Sequence, residues 1–295
     1  MINGILNVYK EKGYTSHDVV AKLRGILRQK KIGHTGTLDP DATGVLPVCL
    51  GKATKLCDLL TDKSKEYETV LLLGVETDTQ DTTGQVLQKL ETTHLDEDTI
   101  KECIKEFVGN YSQIPPMYSA LKVDGKKLYE LAREGKTIER KPREVQIHEI
   151  EIIEMKLPRV HMRVRCSKGT YIRTLCHDIG QRLHSAGCME ELTRTQVGTF
   201  VLQQALKLAD IEQYQNQEKI EEIIVPTDKM FEAYQQVCLS GENMRRVYNG
   251  NAFSKSDMEC KDEEIIRVYN EENEFVALYK YKKGTQCFKA WKMFL

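Results

Sequence analysis

Glycine (19 residues) and proline (7) are sparse in this chain of 295 residues, which excludes collagen-like and low-complexity classes. Long apolar runs are missing as well. The stretches 44–50 and 70–74 fall far below the roughly 18 to 20 residues that cross a bilayer, so no membrane partner is expected. The opening residues, Met1 to Lys10, show no basic region followed by an apolar run and a small-residue cleavage site. The expectation is a cytoplasmic protein. Nine cysteines form no Cys-x-x-Cys pair and no clustered Cys/His spacing, which argues against a structural zinc site and a disulfide framework. Most sit among apolar neighbours, as in Val48-Cys49-Leu50 and Val237-Cys238-Leu239, and read as buried small hydrophobes in a reducing compartment. Net charge is nearly absent too, at −1, which taken alone argues against a nucleic-acid partner.

What is present is a globular composition, 40% hydrophobic and 29% charged, with length enough for two domains. The charge is segregated. In residues 1–60 nine bases face five acids, and residues 117–182 carry the clusters Lys126-Lys127, Arg140-Lys141-Pro142-Arg143 and the run Arg159, Arg163, Arg165, Lys168 and Arg173. Acids prevail later, between Asp210 and Glu264. A positive face on a neutral molecule suits a phosphate backbone, with Lys22, Arg24, Lys30 and Lys31 as candidate contacts. Positive side chains in the last turn of a helix also complement its dipole, so the cluster near Arg28 has a structural reading beside the RNA-binding one.

An opening strand over 5–9 leads to Thr15 and Ser16, hydroxyls placed ahead of Val19, Val20, Leu23, Ile26 and Leu27 as in a capped amphipathic helix. Residues 33–44 hold three glycines and a proline and predict an irregular loop. A buried strand is expected over 67–75, a helix over 96–108 stopped by Gly109, an extended segment over 113–122 and a short basic helix over 125–135. Strands over 145–153 and 160–166 follow, the second with Val160, Met162, Val164 and Cys166 on one face and His161, Arg163 and Arg165 on a positive one. A helix over 171–184 closed by Gly187 and a strand over 192–201 complete the first part. Strand-like runs at 265–269, 275–281 and 287–293 predict a small β-rich second domain. The fold class is α+β with a largely antiparallel sheet, divided into domains 1–228 and 232–295.

Two patterns compete for Asp39-Pro-Asp-Ala-Thr43. Read as Asp-x-Asp-x-Thr it resembles the nucleophile motif of magnesium-dependent haloacid-dehalogenase-type phosphatases, but that motif should follow a buried parallel strand, which 33–38 does not resemble. Gly51-Lys52-Ala53 likewise departs from a P-loop. The longer string Lys31-Ile-Gly-His-Thr-Gly-Thr-Leu-Asp-Pro-Asp-Ala-Thr-Gly-Val-Leu-Pro47 resembles the catalytic motif of tRNA pseudouridine-55 synthases, the TruB family. The likeness continues in order through Lys65-Glu-Tyr67, Gly74-Val-Glu-Thr-Asp-Thr79, Gln113-Ile-Pro-Pro-Met-Tyr-Ser-Ala-Leu-Lys122 and Ser167-Lys-Gly-Thr-Tyr-Ile-Arg-Thr174, and covers about 1–228.

The resemblance implies isomerisation of uridine 55 in the tRNA T-loop, without cofactor or metal. The target base is extruded from its stack, the bond from C1′ to N1 breaks, and one from C1′ to C5 forms. It also implies a mixed, largely antiparallel sheet of the pseudouridine synthase type, with a PUA-like RNA-binding domain after it. Asp39 matches the essential aspartate, which acts at the sugar either by capturing an oxocarbenium-like centre or by taking the C2′ proton. Arg173 matches the arginine that pairs with it, expected to keep the carboxylate ionised, and Tyr67 the tyrosine stacked on the target base. His34 aligns with a residue near the disrupted T-loop, and Tyr118, Lys122 and Leu192 with pocket positions. Asp41 adds an acid where the family commonly has other residues, and is expected to point outward. The expected partner is tRNA, through its T-stem-loop and, for the second domain, its acceptor stem, bound by a monomer. A catalytically inactive tRNA-binding or RNA-folding protein is the alternative.

Overall fold

The computed structural model describes residues 1–123, 125–254 and 260–295. The strand β1 (Gly4–Lys10) is buried on both faces and lies antiparallel to β3 (Thr43–Leu50), whose residues from Gly44 onward are all buried. Between them come α1 (Ser16–Ile26) and the three-residue β2 (Ile32–His34). Thr15 caps α1 as expected, its side chain accepting from the Asp18 N–H while Asp18 accepts from the Thr15 N–H, a reciprocal arrangement that contributes about 1 kcal/mol.

After the short α2 (Cys57–Thr61), β4 (Lys65–Leu73) alternates buried and half-buried positions. The Lys65 ammonium folds back onto the Thr61 and Lys63 carbonyls at the end of α2, where a cation is favoured. A hairpin of β5 (Val75–Thr77) and β6 (Val86–Lys89) precedes α3 (Glu97–Lys105), β7 (Gly109–Gln113) and a second small hairpin, β8 (Lys122–Val123) with β9 (Lys126–Lys127). Then follow α4 (Leu128–Arg133), β10 (Arg143–Lys156), β11 (Arg159–Cys166), α5 (Ile172–Arg182), β12 (Gly187–Val197), β13 (Phe200–Val201) and α6 (Leu208–Asn216).

Among the described residues a nine-stranded sheet runs in the order β1-β3-β12-β4-β11-β10-β7, with β2 beside β3 and β13 beside β12. It is antiparallel except where β12 pairs β3 in parallel at Thr193 with Thr43 and Arg194 with Gly44. One core packs sheet residues Leu71, Val160, Met162 and Val164 against Ile100 of α3 and Ile172, Leu175 and Ile179 of α5. A second joins β1 and β3 to α1 and α6.

The last part folds β14 (Gln235–Cys238), α7 (Gly241–Tyr248), β15 (Ile265–Tyr269), β16 (Phe275–Lys282) and β17 (Cys287–Met293) into a four-stranded sheet ordered β14-β15-β16-β17. Residues 255–259 of the expected second domain lie outside the described residues. The smaller sheet does not stand apart: Leu278 and Phe294 share a buried cluster with Ile5, Val45, Cys49 and Phe200 of the first, with Phe231 at the junction.

Several expectations need correction. Gly187 does not close a helix; it opens β12, and the reversal is made earlier by His184 (φ 53°) and Ala186 (φ 57°). The strand expected over 192–201 starts at 187 and is broken after Val197 by Gly198. The strand expected over 67–75 breaks at Gly74 (φ 84°). Cys238 is exposed on β14 rather than buried. The largest correction concerns the positive face of β11. Arg163 pairs with Glu68 at 2.8 Å and Glu151 at 2.6 Å, Arg165 with Glu149 at 3.3 Å, Arg159 with Glu190 at 2.6 Å, and Lys168 with Asp62 at 2.7 Å. β4 and β10, the strands on either side of β11, carry acids at the facing positions, so that face is charge-paired rather than positive.

Candidate active site

The loop 35–42 is held at both ends by the sheet. On its N-terminal side His34 of β2 pairs with Val48, and the Thr35 N–H donates to the Pro47 carbonyl at 3.2 Å. On its C-terminal side Thr43 and Gly44 pair with β12, where the Thr43 and Thr193 hydroxyls lie 2.9 Å apart. Gly44 is required there. Its φ is +106°, and a Cβ would lie 2.2 Å from the Arg194 carbonyl oxygen. Within the loop the Leu38 N–H donates to the Ser16 hydroxyl at 2.9 Å, and the Pro40 carbonyl accepts from the Gly13 N–H at 2.9 Å and the Lys10 ammonium at 3.0 Å. Asp39 thus rides on a braced turn that also closes through Ala42 N–H to Asp39 C=O at 3.1 Å.

Across the cleft, Arg173 stands in the first turn of α5. The Tyr171 side chain does not cap this helix; Gln113 holds its start instead, accepting from the Tyr171 N–H at 2.8 Å and donating to its carbonyl at 3.0 Å. Arginine in a first turn opposes the helix dipole, and acids must compensate. The Arg173 Nε lies 3.0 Å from Asp39 Oδ2, its Nη2 3.3 Å from Asp39 Oδ1, and its Nη1 3.6 Å from Asp81 Oδ2. Two carbonyls complete the set, Thr79 at 3.1 Å and Tyr118 at 2.8 Å. The guanidinium is buried, whereas 39% of the Asp39 side chain is exposed, so the carboxylate is both anchored and reachable.

Burial in the cleft pushes the Asp39 carboxyl above the ordinary carboxylate range, Arg173 draws it back, and Asp81 adds to the rise. Desolvation therefore outweighs the guanidinium expected to keep the carboxylate ionised. Asp41 is exposed, as expected.

Tyr67 is a buried residue of β4, packed in the cluster that includes Leu38 and Ala42 of the loop, and burial raises its phenol. Leu192 is half-buried on β12, against the same cluster. His34 is half-buried; its Nδ1 accepts from the Gly36 N–H at 3.3 Å, and desolvation lowers its pKa, which favours the neutral ring. Tyr118 reaches the site through its main chain. Lys122 is exposed on β8, opposite Lys127. Lys22, Arg24, Lys30 and Lys31 are all exposed around α1 and the turn after it, with Lys22 Nζ 5.4 Å from the Tyr14 ring centre and Arg24 Nε donating to the Lys30 carbonyl at 3.2 Å.

Three further residues had no role in the sequence reading. Asp81 fell in a polar stretch, yet it is fixed by Thr79 Oγ1 at 2.7 Å and the Thr83 N–H at 3.0 Å so as to face Arg173. Lys10 entered only as one positive charge, but it is fully buried and donates to three carbonyls, those of Glu11, Tyr14 and Pro40. Burial lowers its pKa to about 8. Arg194 is buried on β12 beneath the loop. Their signal in the sequence is weak, since a charged residue inside a strand pattern reads equally well as outward-facing.

The arrangement offers one accessible carboxylate held by a guanidinium, beside a buried aromatic wall. Asp39 does not follow a parallel strand, because β2 runs antiparallel to β3, which removes the setting of the phosphatase motif.

Comparison with known proteins gives the following. Residues 24–172 match the TruB family pseudouridylate synthase N-terminal domain, and 173–232 match the tRNA pseudouridylate synthase B C-terminal domain. A protein of Lachnoclostridium phytofermentans named tRNA pseudouridine synthase B is 53% identical over 100% of both chains. Among solved structures, a chain of a Cbf5-Nop10-Gar1 complex is 29% identical with a TM-score of 0.73, covering 99% of this chain and 85% of that one. A chain of an H/ACA RNP bound to a substrate RNA containing 2′-deoxyuridine is 26% identical with a TM-score of 0.72, over 99% and 85% of the two chains.

Proposed function

The chain belongs to the TruB family of pseudouridylate synthases, an isomerase acting on tRNA, and from that premise we propose that its target is uridine 55 of the T-loop. The observation that carries the site reading is the pairing of a reachable carboxylate, Asp39, with the buried guanidinium of Arg173.

In this reading the target nucleotide is pulled from its stack, at a cost of a few kcal/mol that binding to the surrounding RNA offsets. The ribose then faces Asp39. An ionised carboxylate can capture C1′ as the bond to N1 breaks, or remove the C2′ proton; either releases uracil for rotation and attack from C5. Attack from C5 breaks the ester between Asp39 and C1′ or, on the second route, is matched by return of the proton to C2′; the proton lost from C5 is balanced by one taken up at N1, so product and substrate are isomers. Arg173 holds the carboxylate in one orientation, and its five donors are a fixed planar fork suited to that task. Tyr67 supplies an aromatic face for the base, with Leu192, Tyr118, Lys122 and His34 shaping the surroundings of the extruded nucleotide. Lys22, Arg24, Lys30 and Lys31 meet phosphates of the T-stem-loop.

We further propose that residues 1–228 form the catalytic domain and 232–295 a PUA-type RNA-binding domain that reaches the acceptor stem. The second, four-stranded sheet supports this reading, with Lys289 and Lys292 carried on β17. The protein acts as a monomer in the cytoplasm.

The test offers unmodified T-stem-loop transcripts to wild type and Asp39→Asn in the presence of EDTA, with pseudouridine read by chemical labelling. Product from wild type alone, with RNA binding retained in the variant, is the expected result. Binding without product in both would favour the inactive RNA-binding alternative.

A further inference from the structure

Arg194 is among the most deeply buried side chains of the protein, 1% exposed, and its donors go to main-chain carbonyls rather than to a carboxylate. Nε donates to the Val45 carbonyl at 2.7 Å and Nη2 to the Gly36 carbonyl at 3.4 Å. Gly36 lies near the start of the loop that carries Asp39, and Val45 lies just past its end. A Cβ at Gly36 would lie 3.7 Å from Nη1, so the guanidinium is in near contact with this stretch of backbone. Strand register places Arg194 directly opposite Tyr67 on β4 and opposite Gly44 on β3. One side chain therefore touches both ends of the loop and faces the aromatic wall.

Taking a cation out of water costs several kcal/mol, and two carbonyls alone do not require a charge to satisfy them. A neutral amide side chain could donate to such carbonyls without the cost of burying a charge. What a planar fork adds is simultaneous reach to separate acceptors at fixed angles. We propose that Arg194 is a positioning residue for the isomerisation: it sets the spacing between the loop bearing Asp39 and the ring of Tyr67, so that the carboxylate and the aromatic face meet the same nucleotide. This rests on the site reading given above. The positive charge of Arg194 also offsets part of the rise that burial imposes on the Tyr67 phenol, in keeping with a link between the two residues.

The experiment measures single-turnover pseudouridine formation, T-stem-loop affinity and the thermal midpoint for wild type, Arg194→Lys, Tyr67→Phe and the double variant. Lysine keeps the charge but not the fork. For folded Arg194→Lys the expected result is unchanged affinity with a rate about 100-fold lower, the size of loss that a displacement near 1 Å can cause. The double variant should lose less than the product of the two single losses, because both act through one shared spacing. A wild-type rate in Arg194→Lys, or losses that multiply, would overturn the inference. If Arg194→Lys fails to fold, Arg194→Gln, which retains planar donors, takes its place in the cycle; failure of both to fold would mark Arg194 as a stability residue and also overturn it. An active Asp39→Asn control would instead bring down the site reading itself.

Discussion

Arg173 meets Asp39 through two nitrogens, Nε at 3.0 Å from Oδ2 and Nη2 at 3.3 Å from Oδ1, although 134 positions separate them in the chain. One residue comes from a loop strung between two strands, the other from the first turn of a helix on the far side of the cleft. Their meeting gives the molecule a single oriented acid.

Replacing Arg173 with lysine should therefore harm turnover more than binding. A point ammonium cannot serve Asp39, Asp81 and the Thr79 and Tyr118 carbonyls together. A fall of about tenfold or more in the single-turnover rate, with each tenfold step worth about 1.4 kcal/mol of barrier, is the expected outcome. Equal losses in rate and affinity would count against it.

The acid side of the pH profile follows from the raised Asp39 carboxyl. As pH falls through that pKa the group takes up a proton and the rate drops, beginning above the ordinary carboxylate range. Asp81 contributes to the rise, so Asp81→Asn should move this limb to lower pH, whatever it does to the plateau. A limb that stays put or moves upward in single-turnover profiles would contradict the assignment.

Lys10 makes a prediction about stability. Its folded pKa of about 8 lies below the ordinary 10.5, so between these values the unfolded chain binds the proton more tightly. The cost of burying the charge is present in full below about pH 8 and diminishes as pH rises toward 10.5. Denaturant unfolding of wild type should thus gain stability relative to Lys10→Met between those two pH values. Parallel pH slopes would show that the ammonium keeps its proton in the folded protein.

Salt dependence separates the two groups of basic residues. Lys30 and Lys31 are exposed, whereas Arg163 and Arg165 are already paired with acids. Lys30→Glu with Lys31→Glu should weaken tRNA binding and flatten its dependence on salt, while Arg163→Gln with Arg165→Gln should bind nearly as wild type does. The reverse ranking in affinities measured across a salt series would locate the RNA elsewhere.

Local chemistry was readable from the order of residues. Thr15 with Asp18 announces the start of α1, apolar runs mark β15, β16 and β17 with bounds nearly as expected, and the glycines and proline around Asp39 mark a loop. These features depend on neighbours within a few positions, which set capping, pleat alternation and turn geometry. Asp39 was legible as a candidate because its loop carries a long, specific string.

Folding settled which charges survive on the surface and which residues hold the site. Arg163 and Arg165 look like a positive stripe until β4 and β10 bring Glu68, Glu149 and Glu151 beside them. Lys10, Asp81 and Arg194 look like solvent-facing polar residues until the sheet closes over the Asp39 loop. The physical reason is common to all of them: the energy of a charge depends on what surrounds it in space, and here the partners come from strands and loops far away along the chain.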